Sequence, residues 1–317
     1  DVTILYTNDI HTYIDEALGY SELAALKDSL KNVLLVDAGD HIQGTAYGSM
    51  DKGETIVDLM NAAGYDVATL GNHEFDYSMS GTMDIIEWAE FPYVSANFYK
   101  LENGQRTENV LDSYKMFEIG GHKIAFVGAT TPESFTKSTP AYFQNEDGEY
   151  IYGISGGDNG EDLQADVQKA IDEAKKAGAT KVIVLGHLGD DPASMPWTSE
   201  ETIAKINGLD AFIDGHSHST VEGKKVADKD GKEVLNTPGT GKLADAVYCV
   251  YGRECANMVK VESRWEQYSL TGYVSKPTDA RPSRSLQTFF VNNRPVKSRI
   301  LISALEEAYR NQIMVGK

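Results

Sequence analysis

Short apolar runs alternate with longer, helically spaced segments through the first part of the chain. Val2–Tyr6, Val33–Val36 and Val67–Leu70 are apolar runs with the length and composition of buried strands. Between them, Tyr20–Leu30 carries leucines three and four residues apart, and Glu54–Ala63 is a helical segment that ends at a glycine. The pattern predicts strand, helix, strand, helix, strand, which is the order of a sheet with parallel strands.

The same alternation continues to about residue 235. It predicts helices at Gly81–Trp88, Asp162–Ala177 and Glu200–Ile206, strands at Tyr93–Ala96, Lys181–Leu185 and Ala211–Ile213, and hairpins at Tyr114–Gly128 and Val221–Val234. Residues 132–160 are polar and rich in Gly and Asp, which predicts a long surface excursion. The chain up to residue 235 is therefore expected to be an α/β sandwich with largely parallel central strands.

The pattern changes beyond residue 235. It predicts an amphipathic helix at Lys242–Met258, a hairpin of Tyr268–Ser275 with Leu286–Val291, and a closing helix at Ser298–Gln312. The charge changes as well, because residues 247–317 hold 11 Lys or Arg against 6 Asp or Glu, whereas the rest of the chain holds 18 against 42. We therefore expect two domains, 1–235 and 236–317, of which the second is a small α+β segment.

Composition argues against several classes of partner. The net charge of −19 repels nucleic acid and anionic membranes, so a nucleic-acid partner is not expected. No run of 18 apolar residues occurs, so no membrane-spanning helix is predicted. The first residues enter a predicted strand directly and do not have the pattern of a signal peptide.

Five polar clusters stand where predicted strands end. They are Asp9-x-His11, Gly39-Asp40, Gly71-Asn72-His73-Glu74 with Asp76, Gly186-His187, and Gly215-His216-Ser217-His218. The carboxyl ends of parallel strands meet along one edge of a sheet, so these side chains are expected to converge. A single Gly-His after a strand is more often a capped turn than a ligand, but five clusters that hold five of the seven histidines favour a shared site.

Carboxylate, amide and imidazole groups in this mixture are ligands for divalent metals. Two such ions about 3.5–4 Å apart can clamp a phosphate, polarise its phosphorus and lower the pKa of a water between them. This arrangement needs one carboxylate shared by both ions, several other oxygen and imidazole ligands, and a nearby group that protonates the leaving oxygen. The five clusters contain each of these kinds of group.

The motifs resemble those of the calcineurin-like metallophosphoesterases. The order D-x-H, G-D, G-N-H-E, G-H and G-H-x-H is that of the family, and the longer stretches Y-T-N-D-I-H, G-D-H-I-Q-G and L-G-N-H-E-F-D are similar to its 5′-nucleotidase branch, which includes UDP-sugar hydrolases and 2′,3′-cyclic-nucleotide phosphodiesterases. The resemblance covers residues 1 to about 235. It implies a four-layer α-β-β-α sandwich and two divalent metal ions, Zn or Mn, with Fe or Co as alternatives. It also implies a small phosphoester substrate such as a nucleotide, and an extracellular, periplasmic or cell-surface location.

The resemblance also implies roles for individual residues. By position, the first ion would be held by Asp9, His11 and His218, both ions by Asp40, and the second ion by Asn72, His187 and His216. His73 would stabilise the transition state or assist the leaving group, with Asp76 orienting its imidazole. Asn97 would line the phosphate pocket. No role beyond local structure is predicted for Glu74, and His41 is not expected to be a direct ligand.

The second segment resembles a different family. Its stretch S-L-Q-T-F-F-V-N-N-R-P-V-K-S-R-I is similar to the transducer region of MutL-type mismatch-repair ATPases, in which a strand and a turn precede a long helix. The nucleotide-binding motifs of that family do not occur in this sequence, so the segment is not expected to hydrolyse ATP.

The sequence therefore favours a binuclear metal-dependent hydrolase of phosphate esters, in which the resemblance implies attack on phosphorus by a metal-bridging hydroxide. Two alternatives stay open. The chain is a metal-binding but inactive fragment if the base-binding domain of the 5′-nucleotidase branch is required, because that domain is not recognisable here. It is a DNA-repair interaction module if the second segment determines its role. The sequence does not fix the substrate, the metals or the oligomeric state.

Overall fold

The computed structural model describes residues 1–14, 19–218, 223–237, 259–265, 268–276, 287, 289–291, 294–296 and 298–309. The chain divides into two compact units, one of residues 1–14 and 20–240 and the other of residues 15–19 and 241–317. Among the helices described, none has the length and apolar character needed to cross a bilayer.

Unit 1 alternates strands and helices, as its pattern predicts. Its strands are β1 (Thr3–Thr7), β2 (Val33–Asp37), β3 (Val67–Thr69), β4 (Tyr93–Val94), β5 (Phe98–Glu102), β6 (Gln105–Asn109), β7 (Tyr114–Ile119), β8 (His122–Thr130), β9 (Tyr152–Ile154), β10 (Lys181–His187), β11 (Ala211–Ile213), β12 (Lys224–Ala227) and β13 (Glu233–Thr237). Its helices are α1 (Tyr20–Ser29), α2 (Ala46–Asp51), α3 (Glu54–Ala63), α4 (Ser78–Trp88), α5 (Ser134–Lys137), α6 (Glu161–Lys176) and α7 (Ser199–Ile203). Gly64 ends α3 with φ of 75°, a left-handed cap that glycine adopts without a steric penalty.

Two sheets form the centre of unit 1. The first has the order β1-β2-β3-β4, and each of its pairings is parallel. The second has the order β12-β13-β11-β10-β8-β7, in which the four central strands are parallel. Its edge strands β12 and β7 pair antiparallel with β13 and β8, as the two predicted hairpins require. The prediction of largely parallel central strands is confirmed.

Successive side chains of the central strands point to opposite faces of each sheet, and packing on both faces gives four layers. Leu34 and Val36 of β2 pack between the two sheets with Phe126 of β8 and Leu185 of β10. Leu35 points to the opposite face, where α1, α3 and α4 cover the first sheet. Helix α6 covers the outer face of the second sheet. Both faces of each sheet are therefore buried, which explains why the central strands are continuous apolar runs and confirms the α-β-β-α sandwich.

The segment 132–160 differs from the surface excursion that its composition predicts. It contains α5, a 3₁₀ turn at Pro140–Phe143 and strand β9, which pairs antiparallel with β5 in a sheet of order β6-β5-β9. Phe143 is fully buried and contacts Phe75 and Phe135. A few aromatic side chains hold a mostly polar segment on the core, so its average polarity is a poor guide to its position.

Unit 2 has a short list of described elements. They are the strands β14 (Val259–Trp265), β15 (Tyr268–Val274), β16 (Phe289–Val291) and β17 (Arg294–Val296), and the helix α8 (Arg299–Tyr309). Helix α8 falls within the predicted closing helix, whose residues 310–312 lie outside the described part of the chain. The predicted helix at Lys242–Met258 also lies outside it.

The strand pairing predicted for unit 2 is wrong. Strand β15 pairs antiparallel with β14, which precedes it, and β16 pairs with β17, which follows it. The predicted hairpin would instead have joined β15 to the segment that holds β16. Each observed partner is the nearer one along the chain, and a shorter loop costs less conformational entropy to close.

Candidate metal centre

Ligand-type side chains follow the carboxyl ends of parallel strands in both sheets of unit 1. Those of the first sheet are Asp9 and His11 after β1, Asp40 after β2, and Asn72 with His73 after β3; those of the second are His187 at the end of β10 and His216 with His218 after β11. If the five clusters converge as predicted, these side chains must lie close to one another.

Four of these side chains form a compact group. One ligand atom from each of Asp9, His11, Asp40 and His218 lies within 4.8 Å of the other three. The Nε2 atoms of His11 and His218 are 2.9 Å apart. Because Nδ1 of His11 donates to the backbone carbonyl of Gln43 at 3.0 Å, Nε2 of the neutral imidazole carries a lone pair. This mixture of carboxylate oxygens and imidazole nitrogens suits Zn²⁺ or Mn²⁺.

Asp40 also belongs to a second group, in which one ligand atom each of Asp40, His187 and His216 again lies within 4.8 Å of the others. Nδ1 of His187 donates to the carbonyl of Ala38 at 2.7 Å. Its Nε2 lies 3.0 Å from Oδ2 of Asp40 but is not aligned for a hydrogen bond. Oδ1 of Asn72 is buried without a hydrogen-bond partner. Buried polar atoms are rarely left unpartnered, and a divalent ion would satisfy both atoms, so these residues fit a metal.

Asp40 and His187 form a buried ion pair. Burial alone would raise the pKa of Asp40 and lower that of His187, because a charge is poorly solvated in the interior. Their mutual attraction outweighs burial, so the pKa of Asp40 lies below its usual range and that of His187 is raised to about 10. The carboxylate common to the two groups is therefore ionised, as a metal ligand must be.

The backbone of the cluster adopts a conformation that side-chain-bearing residues avoid. Of the ten described non-glycine residues with positive φ, five are predicted metal ligands: Asp9 (50°), His11 (47°), Asp40 (60°), His216 (83°) and His218 (50°). A left-handed backbone costs about 1–2 kcal/mol per residue and persists only where the surroundings fix it. Strained backbone conformations are therefore concentrated among the predicted ligands. This indicates that the surrounding fold holds these side chains in fixed positions.

Glycines precede several of these residues because the cluster leaves no room for a side chain. A Cβ on Gly71 would lie 2.2 Å from Oδ1 of Asp40, and one on Gly39 would lie 2.6 Å from the backbone nitrogen of Gly71. A Cβ on Gly215 would lie 2.9 Å from Nδ1 of His187. The glycines in the motifs therefore follow from the close approach of the loops that carry the ligands.

His73 and Asp76 form a pair beside the first group. Nδ1 of His73 is 2.6 Å from Oδ2 of Asp76, and the His73 ring lies 5.2 Å from the ring of His11, centroid to centroid. Burial lowers the pKa of His73, but the hydrogen bond with Asp76 and the charge of Asp40 outweigh burial and raise it. Because Nδ1 is committed to Asp76, Nε2 is the nitrogen of His73 that is left for another molecule.

Glu74 joins two loops of the site, a contribution larger than the local role predicted for it. Its fully buried carboxylate accepts hydrogen bonds from the backbone N–H groups of Asp40 at 2.8 Å, His41 at 2.9 Å and Gly71 at 2.6 Å. The loop that carries the shared carboxylate is thereby fixed to the loop that carries Asn72. The sequence shows the glutamate in the G-N-H-E motif but not these backbone partners.

His41 lies behind the cluster. Its Nδ1 is 2.9 Å from Oδ1 of Asp37 and its Nε2 is 2.8 Å from the Tyr93 hydroxyl, so both ring nitrogens are used within the protein. Burial lowers the pKa of His41, but the charges of Glu74 and Asp37 outweigh burial and raise it to about 9. The imidazolium therefore compensates two carboxylates that have no access to water.

Glu133 is a site residue that sequence reasoning missed. It follows β8, the strand parallel to β10, and its Oε2 is 2.8 Å from Nε2 of His216. Burial raises the pKa of Glu133, but hydrogen bonds from His216 and Ser194 outweigh burial and lower it. The stretch T-T-P-E contains no glycine or histidine, so only its place after a parallel strand could have indicated a contribution to the site.

Asn97 makes hydrogen bonds within the protein through its side-chain amide. Its side-chain amide donates to the carbonyls of Thr130 at 2.8 Å and Ser155 at 3.1 Å and accepts from the backbone N–H of Thr130 at 2.9 Å. The residue is fully buried, and both amide hydrogens are used. Asn97 therefore joins the ends of β8 and β9, and its predicted contact with a phosphate stays a prediction.

Two protein families match separate parts of the sequence. The profile of the calcineurin-like phosphoesterases matches residues 2–220, and that of the C-terminal domain of DNA mismatch repair proteins matches residues 247–317. Among curated proteins, the snake venom 5′-nucleotidase of Gloydius brevicauda is 31% identical over 241 residues, which are 69% of this chain and 37% of that protein. Both resemblances found in the sequence are thus supported by independent matches.

Solved structures show the same fold. The NAD nucleotidase of Haemophilus influenzae has a TM-score of 0.61 and 24% identity over 75% of this chain and 45% of its own. A 5′-nucleotidase precursor from Thermus thermophilus has a TM-score of 0.60 and 26% identity over 76% of this chain and 49% of its own. The chain spans less than half the length of these relatives.

Proposed function

Because the chain belongs to the calcineurin-like phosphoesterase family, we propose that residues 1–235 form a two-metal hydrolase of phosphate esters that acts on nucleotides. The observation that carries this proposal is that Asp40 belongs to two ligand groups at once. The relatives named as 5′-nucleotidases and as an NAD nucleotidase support a nucleotide substrate. The resemblance to a venom enzyme supports an extracellular, periplasmic or cell-surface location.

The proposed ligands follow from the two groups and from the buried oxygen of Asn72. The first ion would be held by Asp9, His11, Asp40 and His218, and the second by Asp40, Asn72, His187 and His216. Bound ions of this kind polarise a phosphate and lower the pKa of a water between them. Which metals occupy the site is open between Zn, Mn, Fe and Co, because the donor set suits each of them.

His73 would act on the phosphoester from the side of the first group. Its Nδ1 donates to Asp76, which fixes the orientation of the imidazole and keeps Nε2 directed away from that contact. The raised pKa of His73 keeps a proton on Nε2 over a wider pH range. That proton can stabilise charge on a phosphoryl oxygen or pass to the oxygen of the leaving group.

Hydrolysis of a nitrophenyl phosphate, of its bis-ester and of a nucleoside monophosphate tests this function in the presence of Mn²⁺ or Zn²⁺. Asp40→Asn and His73→Ala should each lower kcat by about 10²–10⁴-fold, because they remove the shared carboxylate and the acid–base group. His122→Ala is the matched control, since His122 is exposed and lies outside the cluster. Full activity in either site variant would contradict the proposal.

Elemental analysis of the same samples separates this function from the inactive alternative. A protein that contains two equivalents of metal and hydrolyses none of the three substrates would be a metal-binding fragment. A protein that contains no metal after exposure to Mn²⁺ or Zn²⁺ would contradict the ligand assignment itself. The proposed division of the chain predicts that turnover does not require residues 241–317, since β13 of the second sheet extends to Thr237 and unit 1 ends at residue 240.

A second candidate function rests on the match of residues 247–317 to the C-terminal domain of DNA mismatch repair proteins. It is an interaction module of DNA repair, carried by residues 236–317. Binding to duplex DNA at physiological salt that disappears when residues 247–317 are removed would support it. Absence of duplex binding by the intact chain would exclude DNA as the partner.

A further inference from the structure

Glu133 contacts a proposed ligand from a loop that contains no ligand of its own. It lies at the carboxyl end of β8, where its backbone carbonyl accepts from the N–H groups of Thr136 and Lys137 and begins α5. Its side chain is only 12% exposed, and that of His216 is 7% exposed. Oε2 of Glu133 is 2.8 Å from Nε2 of His216, so a local turn and a nearly dry environment hold this contact in place.

This contact determines which nitrogen of His216 is available to an ion. In a contact of 2.8 Å between a carboxylate oxygen and an imidazole nitrogen the carboxylate is the acceptor, so this contact places the proton of the His216 ring on Nε2. The lone pair of the neutral imidazole then lies on Nδ1. Nδ1 is therefore the atom that His216 offers to the group it forms with Asp40 and His187.

Two other proposed imidazole ligands, His11 and His187, are oriented differently. Nδ1 of His11 donates to the carbonyl of Gln43, and Nδ1 of His187 donates to the carbonyl of Ala38, so each offers Nε2. Their acceptors are neutral amides, whereas the acceptor for His216 carries a full charge. A charged acceptor raises the basicity of the imidazole and strengthens its bond to a metal.

We propose that Glu133 is a positioning residue for the second metal ion, because it holds His216 with Nε2 protonated and Nδ1 directed to the ion. This inference rests on the proposed function, since it presumes that His216 is a ligand. Glu133 would act only through His216 and would not touch the substrate. Loss of Glu133 should therefore weaken the binding of only one of the two ions.

Titration of the metal-free protein with Mn²⁺, followed by the electron paramagnetic resonance signal of the free ion, tests this directly. The wild-type chain should bind two ions. Glu133→Ala should weaken one of them by about 10–100-fold and leave the other unchanged. Glu133→Gln keeps an acceptor oxygen but loses the charge, so its loss of Mn²⁺ affinity should be smaller than that of Glu133→Ala. Glu146→Ala, at an exposed glutamate in the same segment, should behave as wild type.

The tautomer of His216 gives a readout that does not depend on metal. In the metal-free, ¹⁵N-histidine-labelled protein, the neutral His216 ring should carry its proton on Nε2. In Glu133→Ala the two tautomers should mix. A merely structural role of Glu133 would not change this signal.

Unchanged affinity for both ions in Glu133→Ala, or a wild-type His216 protonated on Nδ1, would overturn the inference. If Glu133→Ala does not fold, the same two measurements on Glu133→Gln decide it, because that variant preserves the size of the side chain. A wild-type chain that binds no Mn²⁺ would instead contradict the proposed function. The two failures are therefore distinguishable.

Discussion

Glu74→Gln is the sharpest test of how the site is held together. The carboxylate of Glu74 accepts hydrogen bonds from four buried backbone N–H groups, of which the three shortest come from Asp40 and Gly71 on Oε2 and from His41 on Oε1. Glutamine offers one oxygen and one NH₂ group in the same volume. Whichever way its amide lies, at least one of the three N–H groups loses its acceptor and faces another donor.

The size of the effect follows from these contacts. A buried N–H without an acceptor costs about 1–3 kcal/mol. The substitution also removes a negative charge beside the buried imidazolium of His41, whose pKa of about 9 depends on Glu74 and Asp37. Removing one partner of a buried charge pair is itself destabilising, so we expect a total loss of about 2–5 kcal/mol in the free energy of unfolding.

Urea unfolding at neutral pH, followed by tryptophan fluorescence and circular dichroism, measures this loss. Glu87→Gln is the matched control, because Glu87 is an exposed glutamate on α4 and makes the same change of charge. The control should change stability by no more than about 0.5 kcal/mol. A loss for Glu74→Gln as small as that of the control would refute the assignment of Glu74 as the connection between the two loops.

Three further predictions concern packing and charge in unit 1. Gly71→Ala places a Cβ 2.2 Å from Oδ1 of Asp40, so Mn²⁺ affinity should fall by about 10–100-fold. Asp210→Asn should cost less than about 1 kcal/mol at neutral pH. Burial raises the pKa of Asp210, but hydrogen bonds from a backbone N–H and two lysines outweigh burial and lower it. The ionised side chain therefore stabilises the fold at pH values above the unfolded pKa of about 3.9, and this stabilisation is lost as the pH falls through the lowered value. Phe143→Ala should cost about 3–5 kcal/mol, whereas Tyr150→Ala, at a residue 44% exposed, should cost far less.

Each of these has a clear contrary outcome. Unchanged Mn²⁺ binding in Gly71→Ala would show that Asp40 can move away, and Gly272→Ala, where a Cβ meets nothing within 4 Å, is its control. A difference between wild type and Asp210→Asn that stays constant from neutral to strongly acidic pH would exclude the charge as its cause. A small loss in the free energy of unfolding for Phe143→Ala, measured in urea, would contradict the packing of the segment 132–160 on the core.

The sequence was sufficient to predict those parts of the fold that depend on local patterns. Apolar runs such as Val33–Val36 stand out because both faces of the sheets are buried, and helix ends such as Gly64 stand out because a left-handed cap favours glycine. The ligand motifs stand out for a related reason. The glycine before Asp40 and the one before Asn72 are required by contacts within the site, so they are visible as short patterns.

Contacts between distant segments could not be predicted in this way. Glu133 reaches a histidine that lies 83 residues further along the chain, and the backbone partners of Glu74 in the loop after β2 lie more than 30 residues before it. Asn97 has the residue type of a phosphate ligand, but its amide is used between strands that meet only in three dimensions. The pairing of β15 was missed although Val259–Glu262 alternates apolar and charged residues, because the two residues between β14 and β15 are Glu-Gln and include no glycine that would predict a turn.

The division of the proposed ligands between two sheets has a consequence for the folding chain. Asp9, His11, Asp40 and Asn72 come from its first quarter, whereas His187, His216 and His218 come from beyond its midpoint. Each ion would contact both sets, so a nascent chain that has folded only its first sheet has no complete coordination sphere. Phosphoester cleavage would begin only when the second sheet has docked. The ions in turn would hold the finished sandwich closed, by a free energy that grows with metal concentration.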